Sequence, residues 1–550
     1  MKRFLFLLAV LVLLSVPLSG ALAQGGSDAV IFRSIGNVST FNPLFTTDEG
    51  SNNAVYAMWP LPFDVDRFTG IPQPGLTSWT ISEDGLTYSF KIRDGAVWSD
   101  GTPITSKDAK FTYDAAASKV VGSNRAANTA SIKEVKIIDD KNYQVILNKA
   151  NCAVMQDFFS INWLPAHRFK ADFSDIQTNI LNTKPDISGG PYILDDIKTD
   201  EYFAFHANPT YWGGKPKIDK LIYKVITDPA ISAQALASGD VDYDHLNPDE
   251  FEQVPVKDNL NYKAVAQDSI GLFFMNWADP NNPQPAYDKD GKPLQQTPHP
   301  IFADKTVRRA VAMGYDKNAI LQTLGDNGGS LLVGSVVPAM TWAFNSDIQP
   351  YSYDPKQAAA LLDQAGWKLN PATGIREKDG KLMEFEIVYS PVAKYFDTTA
   401  LVAQDQLGQL GMKVKVTSLE WGAYLNDRLL AQKFDVSVVG WGGSPPPDPT
   451  STEPLLLSTG DVPGSGFDVS SYVSPELDKV MREGRTVPGC DLQKRGDLYK
   501  QMQKIQHDDV AIDFTISPYT VHAMNKRVQG FNPGPWWYQQ LTPQELYFGS

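Results

Sequence analysis

Between residues 76 and 113 three Asp-Gly pairs, Asp84-Gly85, Asp94-Gly95 and Asp100-Gly101, cut the chain into short pieces. Glycine accepts the positive φ of tight turns and aspartate tolerates it, so each pair marks a turn. Between the first two, Tyr88, Phe90 and Ile92 alternate with Thr87, Ser89 and Lys91, the period of a strand with one buried face. After the third, Thr105 and Asp108 have the spacing of a capping box and predict a helix start. Turn, strand, turns, helix is the order this stretch dictates. None of its residues looks catalytic.

The N-terminus reads as a secretory signal. Lys2 and Arg3 form a charged start, residues 4–16 an apolar run, and Ala21-Leu22-Ala23 a small-residue cleavage site. The expected mature chain begins at Gln24 and keeps 550 − 23 = 527 residues. The apolar run is too short to cross a bilayer, and no Cys follows it to carry a lipid. A soluble exported protein is expected, periplasmic or associated with the cell surface. The length exceeds what one core organises, so two or three domains are expected. The formal charge of −14, or −16 without Lys2 and Arg3, comes with no basic block. That argues against nucleic acid and anionic membranes as partners.

The order of parts over 76–113 closely resembles a segment of the family 5 extracytoplasmic solute-binding proteins, the peptide- and nickel-binding subunits of ABC importers. Their pattern runs roughly Leu…Trp…DGltytFkLR.Gv.f.DGtp.ta.Dv.f. The resemblance continues in Ser188-Gly189-Gly190-Pro191-Tyr192, in Asn208-Pro209-Thr210-Tyr211-Trp212-Gly213-Gly214-Lys215-Pro216 and in the DKTVRRAVAMGYD run at 304–316. It implies an α/β fold of two lobes with an extra subdomain and a ligand cleft between the lobes. The expected boundaries are 1–23 for the signal, 28–56 with 186–271 and 512–550 for lobe I, 57–185 for the extra subdomain, and 272–511 for lobe II. It also places Cys152 and Cys490 in different domains, so two unpaired, partly buried thiols are expected.

Residues 384–441 give an architecture without help from the resemblance. Residues 385–389 read as a strand, 398–410 as a helix ending at Gly411, and Met412, Val414 and Val416 as the buried face of a second strand. Residues 421–431 read as a second helix and 434–439 as a third strand. This β-α-β-α-β order implies parallel neighbours in one layer. Ligands of such sheets sit beyond the carboxyl ends of the strands, where Trp441 and the loop 442–448 fall.

No G-x-S-x-G elbow, H-E-x-x-H, P-loop or C-x-x-C is present, and the six histidines are scattered singly. Asp288-x-Asp290-Gly291 lacks the full spacing of a calcium loop and reads as a solvated hairpin. The expectation is a binding protein without a cofactor or metal, with a secreted glycoside or peptide hydrolase as the alternative. By resemblance its partners are a small-molecule ligand and the permease subunits of an importer, and the protein itself is a monomer. Cleft candidates are Trp421, Trp441, Ser444, Asn276, Gly190, Asn42, Trp59, Tyr424, Asp448 and Trp536. In peptide-binding members, the Asp three residues after the position of Trp441 pairs with the ligand's amino terminus; here that position is Ser444. A buried ammonium without a carboxylate costs several kcal/mol. Either another acid substitutes, with Asp448 one possibility, or the ligand has no free amine, as in a neutral oligosaccharide.

Overall fold

The structure is a computed structural model describing residues 28–325, 328–443, 445–536 and 543–549. The expected signal segment, Ser444, Trp537 and Tyr538 lie outside the described residues. The first turns fold as their residues demand, with Gly85, Gly95 and Gly101 at φ of +68°, +76° and +86°. Tyr88, Phe90 and Ile92 point one way from strand Thr87–Ile92 into a core, and Phe90 stacks on Tyr143 of the neighbouring strand at 5.0 Å. That strand belongs to a four-stranded antiparallel sheet built from 77–147. Thr105 and Asp108 form the capping box that opens helix Ser106–Ala117.

A larger sheet runs, edge to edge, through Leu260–Ala266, Ile516–Asn525, Tyr243–Leu246, Ala29–Ser34, Lys220–Val225, Tyr202–Ala207 and Tyr192–Lys198. Gly329–Leu331 also pairs with Ile516–Asn525. The four-stranded sheet and much of this larger one share a single hydrophobic core drawn from residues 30–243 and from Met524, Val528 and Leu546.

The second layer is the one read at 384–441. Its order is Lys413–Ser418, Glu384–Tyr389, Val436–Gly442, Ser269–Met275, Asp513–Phe514. The first three strands are parallel, and Ser269–Met275 joins antiparallel. Both faces are covered, as parallel strands require. Phe273 and Met275 enter the core on one face, and Ile270, Leu272 and Phe274 the core on the other. The helix expected from 421 begins as one α turn, Trp421–Ala423, and widens into a π-helix over Tyr424–Leu429.

Up to residue 525 the chain crosses between the two bodies at residues 267–268 and at Thr515. Beyond it, Val528 and Leu546 lie in the first core and Trp536 in the core beside the second sheet. The crossings lie side by side. The Thr515 N–H donates to the Gly271 carbonyl at 2.9 Å, and Ser517 Oγ to the Gln267 carbonyl at 3.3 Å. A Cβ on Gly271 would stand 2.6 Å from Thr515 Oγ1, so only glycine permits this approach.

The cysteine expectation is corrected. Cys152 and Cys490 do sit on different bodies, yet they form a disulfide across a Cα–Cα distance of 5.3 Å. The reason is that the two edges meet there. The Cys152 N–H donates to the Arg485 carbonyl at 2.8 Å and the Gly489 N–H to the Glu83 carbonyl at 3.0 Å.

Candidate functional site

Strand Val436–Gly442 ends beside the start of Ser269–Met275, with Ser269 opposite Gly442. The ladder gains one rung past the strands, where the Gly443 N–H donates to the Asp268 carbonyl at 2.8 Å. Asp268 therefore stands at a lobe crossing and at the carboxyl end of a parallel strand. Its side chain packs on Gly443 so closely that a Cβ there would lie 1.8 Å from Oδ2. Oδ2 is shielded from solvent and has no hydrogen-bond partner among the described residues. Burial pushes the carboxyl up to about 7, and the negative charge of Asp448 adds to the shift.

Asp448 is buried and already committed. Its Oδ1 accepts from the N–H and Oγ1 of Thr450, capping the turn Pro449–Leu455, and its Oδ2 pairs with Arg495 at 2.8 Å. Glu453 lies further along the same turn. One of its oxygens holds Arg485 at 2.6 Å; the other is buried with no partner among the described residues. Burial pushes it to about 7, and Asp157 of the facing body to about 6. Four carboxyl groups thus share two guanidinium groups near this seam. Arg495 and Arg485 neutralise two of them, and Asp268 has no cation beside it among the described residues.

The loop that follows Trp441 presses on the first body. Gln156 Nε2 donates to the Pro446 carbonyl at 2.8 Å, and a Cβ on Gly70 would meet Pro447 Cγ at 2.2 Å. Trp441 is half-buried, its indole N–H donating to the Ser451 carbonyl at 2.8 Å and its ring edge-on to Phe467 at 5.2 Å. Trp421 is 40% exposed, one turn from Tyr424 with ring centroids 5.8 Å apart.

The other expected site residues divide. Trp59 and Gly190 both line a cavity of about 270 Å³ in the first body, together with Tyr211, Trp212, Asp64 and Arg67. Trp59 is itself buried, and its indole N–H donates to the Phe41 carbonyl at 2.6 Å. Trp536 packs in the core beside the second sheet while its backbone N–H donates to the Arg67 carbonyl at 3.1 Å. Asn42 is buried against Asn182 and caps its own turn by accepting from the Leu44 N–H. Asn276 holds the carbonyls of Gln432 and Phe434, and the Tyr424 hydroxyl lies 2.7 Å from Ser437 Oγ. These last three are fully buried and spend their polar atoms inside a body. Sequence reasoning missed Asp268. Its one signal is an acid two residues before the apolar run 270–275, where a core strand begins. Among the described residues no three His, Cys, Asp or Glu side chains group as a metal site, and no helix is long and apolar enough to cross a membrane.

Residues 72–462 match the bacterial extracellular solute-binding proteins, family 5. The chain is 26% identical to the oligopeptide-binding protein AppA of Bacillus subtilis, over 97% of each chain. The structure of that protein with a nonapeptide superimposes with a TM-score of 0.66 at 24% identity, covering 95% of this chain and 99% of that one. Di/tripeptide-binding protein 3 of Pseudomonas aeruginosa is 27% identical over 96% of each chain. NikZ of Campylobacter jejuni, solved with Ni(L-His), gives a TM-score of 0.70 at 23% identity over 95% and 99%.

Proposed function

The chain belongs to the bacterial extracellular solute-binding proteins of family 5, and on that premise we propose that it is the cargo-capturing subunit of an ABC importer for peptides held by a free amino terminus. The single observation that carries the peptide reading is Asp268. A buried carboxylate without a partner is costly, and a ligand ammonium placed against it relieves that cost while gaining its own counter-ion. Asp268 stands next to Gly443, one residue from the position of Ser444, so it supplies from the crossing the acid that the loop lacks.

Capture needs only that the ligand touch both bodies and so favour the closed arrangement. No bond in the cargo changes, and the reading is non-enzymatic. We place the protein outside the cytoplasmic membrane after loss of residues 1–23, working as a monomer with the permease subunits as its partners. Cleft residues in this proposal are Asp268 for the amine, with Trp441 and Trp421 offering aromatic faces.

A thermal-shift panel tests the cargo class. It uses a pool of short free-amine peptides, the same pool N-acetylated, and cello- and manno-oligosaccharides. A true cargo at about 100 times its dissociation constant stabilises the protein by ~2.7 kcal/mol. The free-amine pool is expected to shift the melting temperature and the acetylated pool to fail. Stabilisation by an oligosaccharide alone would replace the peptide reading with the carbohydrate one. Turnover of any of these probes would replace it with a hydrolase.

A further inference from the structure

The two bodies share more than the chain that links them. Both chain crossings, at 267–268 and at Thr515, lie together on the larger sheet of the first body, bonded to one another as described. Around residue 516 the two crossing strands, with Gly329–Leu331 paired beside them, form one compact joint. Non-covalent contacts of Pro446 with Gln156 and of Trp536 with Arg67 brace it elsewhere, and such a joint bends and twists in several directions once those contacts part. The disulfide joins them at a second place, on the four-stranded subdomain, between residues 338 apart in sequence.

Neither cysteine is on a slack loop. Cys152 is buried and lies one residue before the cap of helix Val154–Phe159, whose Val154 and Phe158 enter the first core. Cys490 ends the short turn between helices Pro475–Arg485 and Leu492–Asp509, which lock into the second core through Leu477, Met481, Tyr499 and Met502. The seam around the bridge is bonded from both sides. Besides the two backbone bonds already given, the Tyr88 hydroxyl lies 3.5 Å from Cys490 Sγ, and Cys152 Sγ lies 3.4 Å from the Val487 carbonyl.

A rigid body held at two separated points turns only about the line through them. We infer that the Cys152–Cys490 bridge is the second bearing of the hinge, so that the oxidised protein opens about the axis joining the bridge to the paired crossings and keeps the bridge edge shut. The bridge removes twisted and widely splayed arrangements from the ligand-free ensemble. Less freedom is then lost on closing, which favours capture. Reduction frees the edge and widens the ensemble. An exported chain meets the oxidising conditions in which such a bridge persists.

The test needs no cargo, so its outcome is independent of the peptide reading. Solution X-ray scattering and amide hydrogen exchange are recorded on the ligand-free oxidised protein, on the same protein after a phosphine reductant, and on C152S/C490S. Thiol titration of the native oxidised protein is expected to find no reactive thiol. Reduction is expected to enlarge the radius of gyration and to cut protection at the Cys152 and Gly489 amides by more than an order of magnitude, with core amides of both bodies unchanged. The double variant is expected to behave as the reduced protein does. If it fails to fold, reduction of the native protein decides alone. Superimposable scattering with equal protection at the two amides would overturn the inference, even with a lower melting temperature, because the bridge would then brace the fold without governing its opening. Two freely reacting thiols in the oxidised protein would overturn it as well.

Discussion

Asp108 and Asp268 are both buried carboxyl groups raised by desolvation, yet their surroundings differ. Asp108, in the four-stranded subdomain, accepts from the Thr105 and Ala166 N–H groups, each at 2.8 Å, and burial is opposed by those bonds. Asp268, at the crossing, keeps one oxygen with no bond among the described residues and feels a second acid nearby. The first carboxyl completes a fold. The second has no cation against it among the described residues, and the proposed amine of the cargo is what would supply one.

The sharpest way to break this contrast is to exchange charge for polarity at each acid. Asp268→Asn is expected to weaken binding of a free-amine peptide by ~2–5 kcal/mol, the scale for losing one partner of a buried charge pair, while leaving the melting temperature unchanged or higher. Isothermal titration checks the affinity, and equal affinity in the variant would remove Asp268 from the site. Asp108→Ala should do the reverse. It strips a cap and leaves two amides unpaired, so urea denaturation should find a loss of ~1–2 kcal/mol with peptide affinity unaltered.

The proton economy of Asp268 sharpens the contrast further. Its folded value of about 7 exceeds the ordinary carboxylate range, so the native ligand-free protein holds a proton there that the unfolded chain has released. That contribution to stability is full below the ordinary range and is lost as pH rises through about 7. Binding an ammonium needs the ionised form, so affinity for a free-amine peptide should fall by about tenfold per pH unit below that value. Titrations across this window, repeated with Asp268→Asn, should show the slope vanish in the variant. The smallest effect is expected at the aromatic face. Trp441→Ala should reduce affinity severalfold and spare the fold, whereas Trp212→Ala, which removes a ring packed on the first core and the Arg93 guanidinium 4.8 Å above it, should mainly destabilise. Reversed outcomes would exchange the roles of the two rings.

The same contrast explains what could be read from the chain. Local signals were sufficient wherever the cause is local: Gly85, Gly95 and Gly101 in their turns, Thr105 with Asp108 at a helix start, and the alternation that builds 384–439 into parallel strands. The π-helical turn at Tyr424–Leu429 was not legible, because the register of one turn follows the packing beneath it. Nor was the bridge, since nothing in a separation of 338 residues says that Glu83 and Gly489 will meet. Asn42, Asn276 and Tyr424 illustrate a further limit: a motif locates a polar residue in the fold, but the direction of its side chain depends on tertiary neighbours. Asp268 was hidden for the same reason, because a polar residue between two strands has the sequence of a solvated linker until the second body covers it.

Proton release on binding tests the central claim most directly. A free-amine peptide is titrated into the protein at a pH about one unit below the Asp268 value, in two buffers of different ionisation enthalpy. Release of nearly one proton per peptide by the native protein, and of none by Asp268→Asn, is the predicted result. The same proton count in both proteins would mean that the acid at the crossing never meets the cargo.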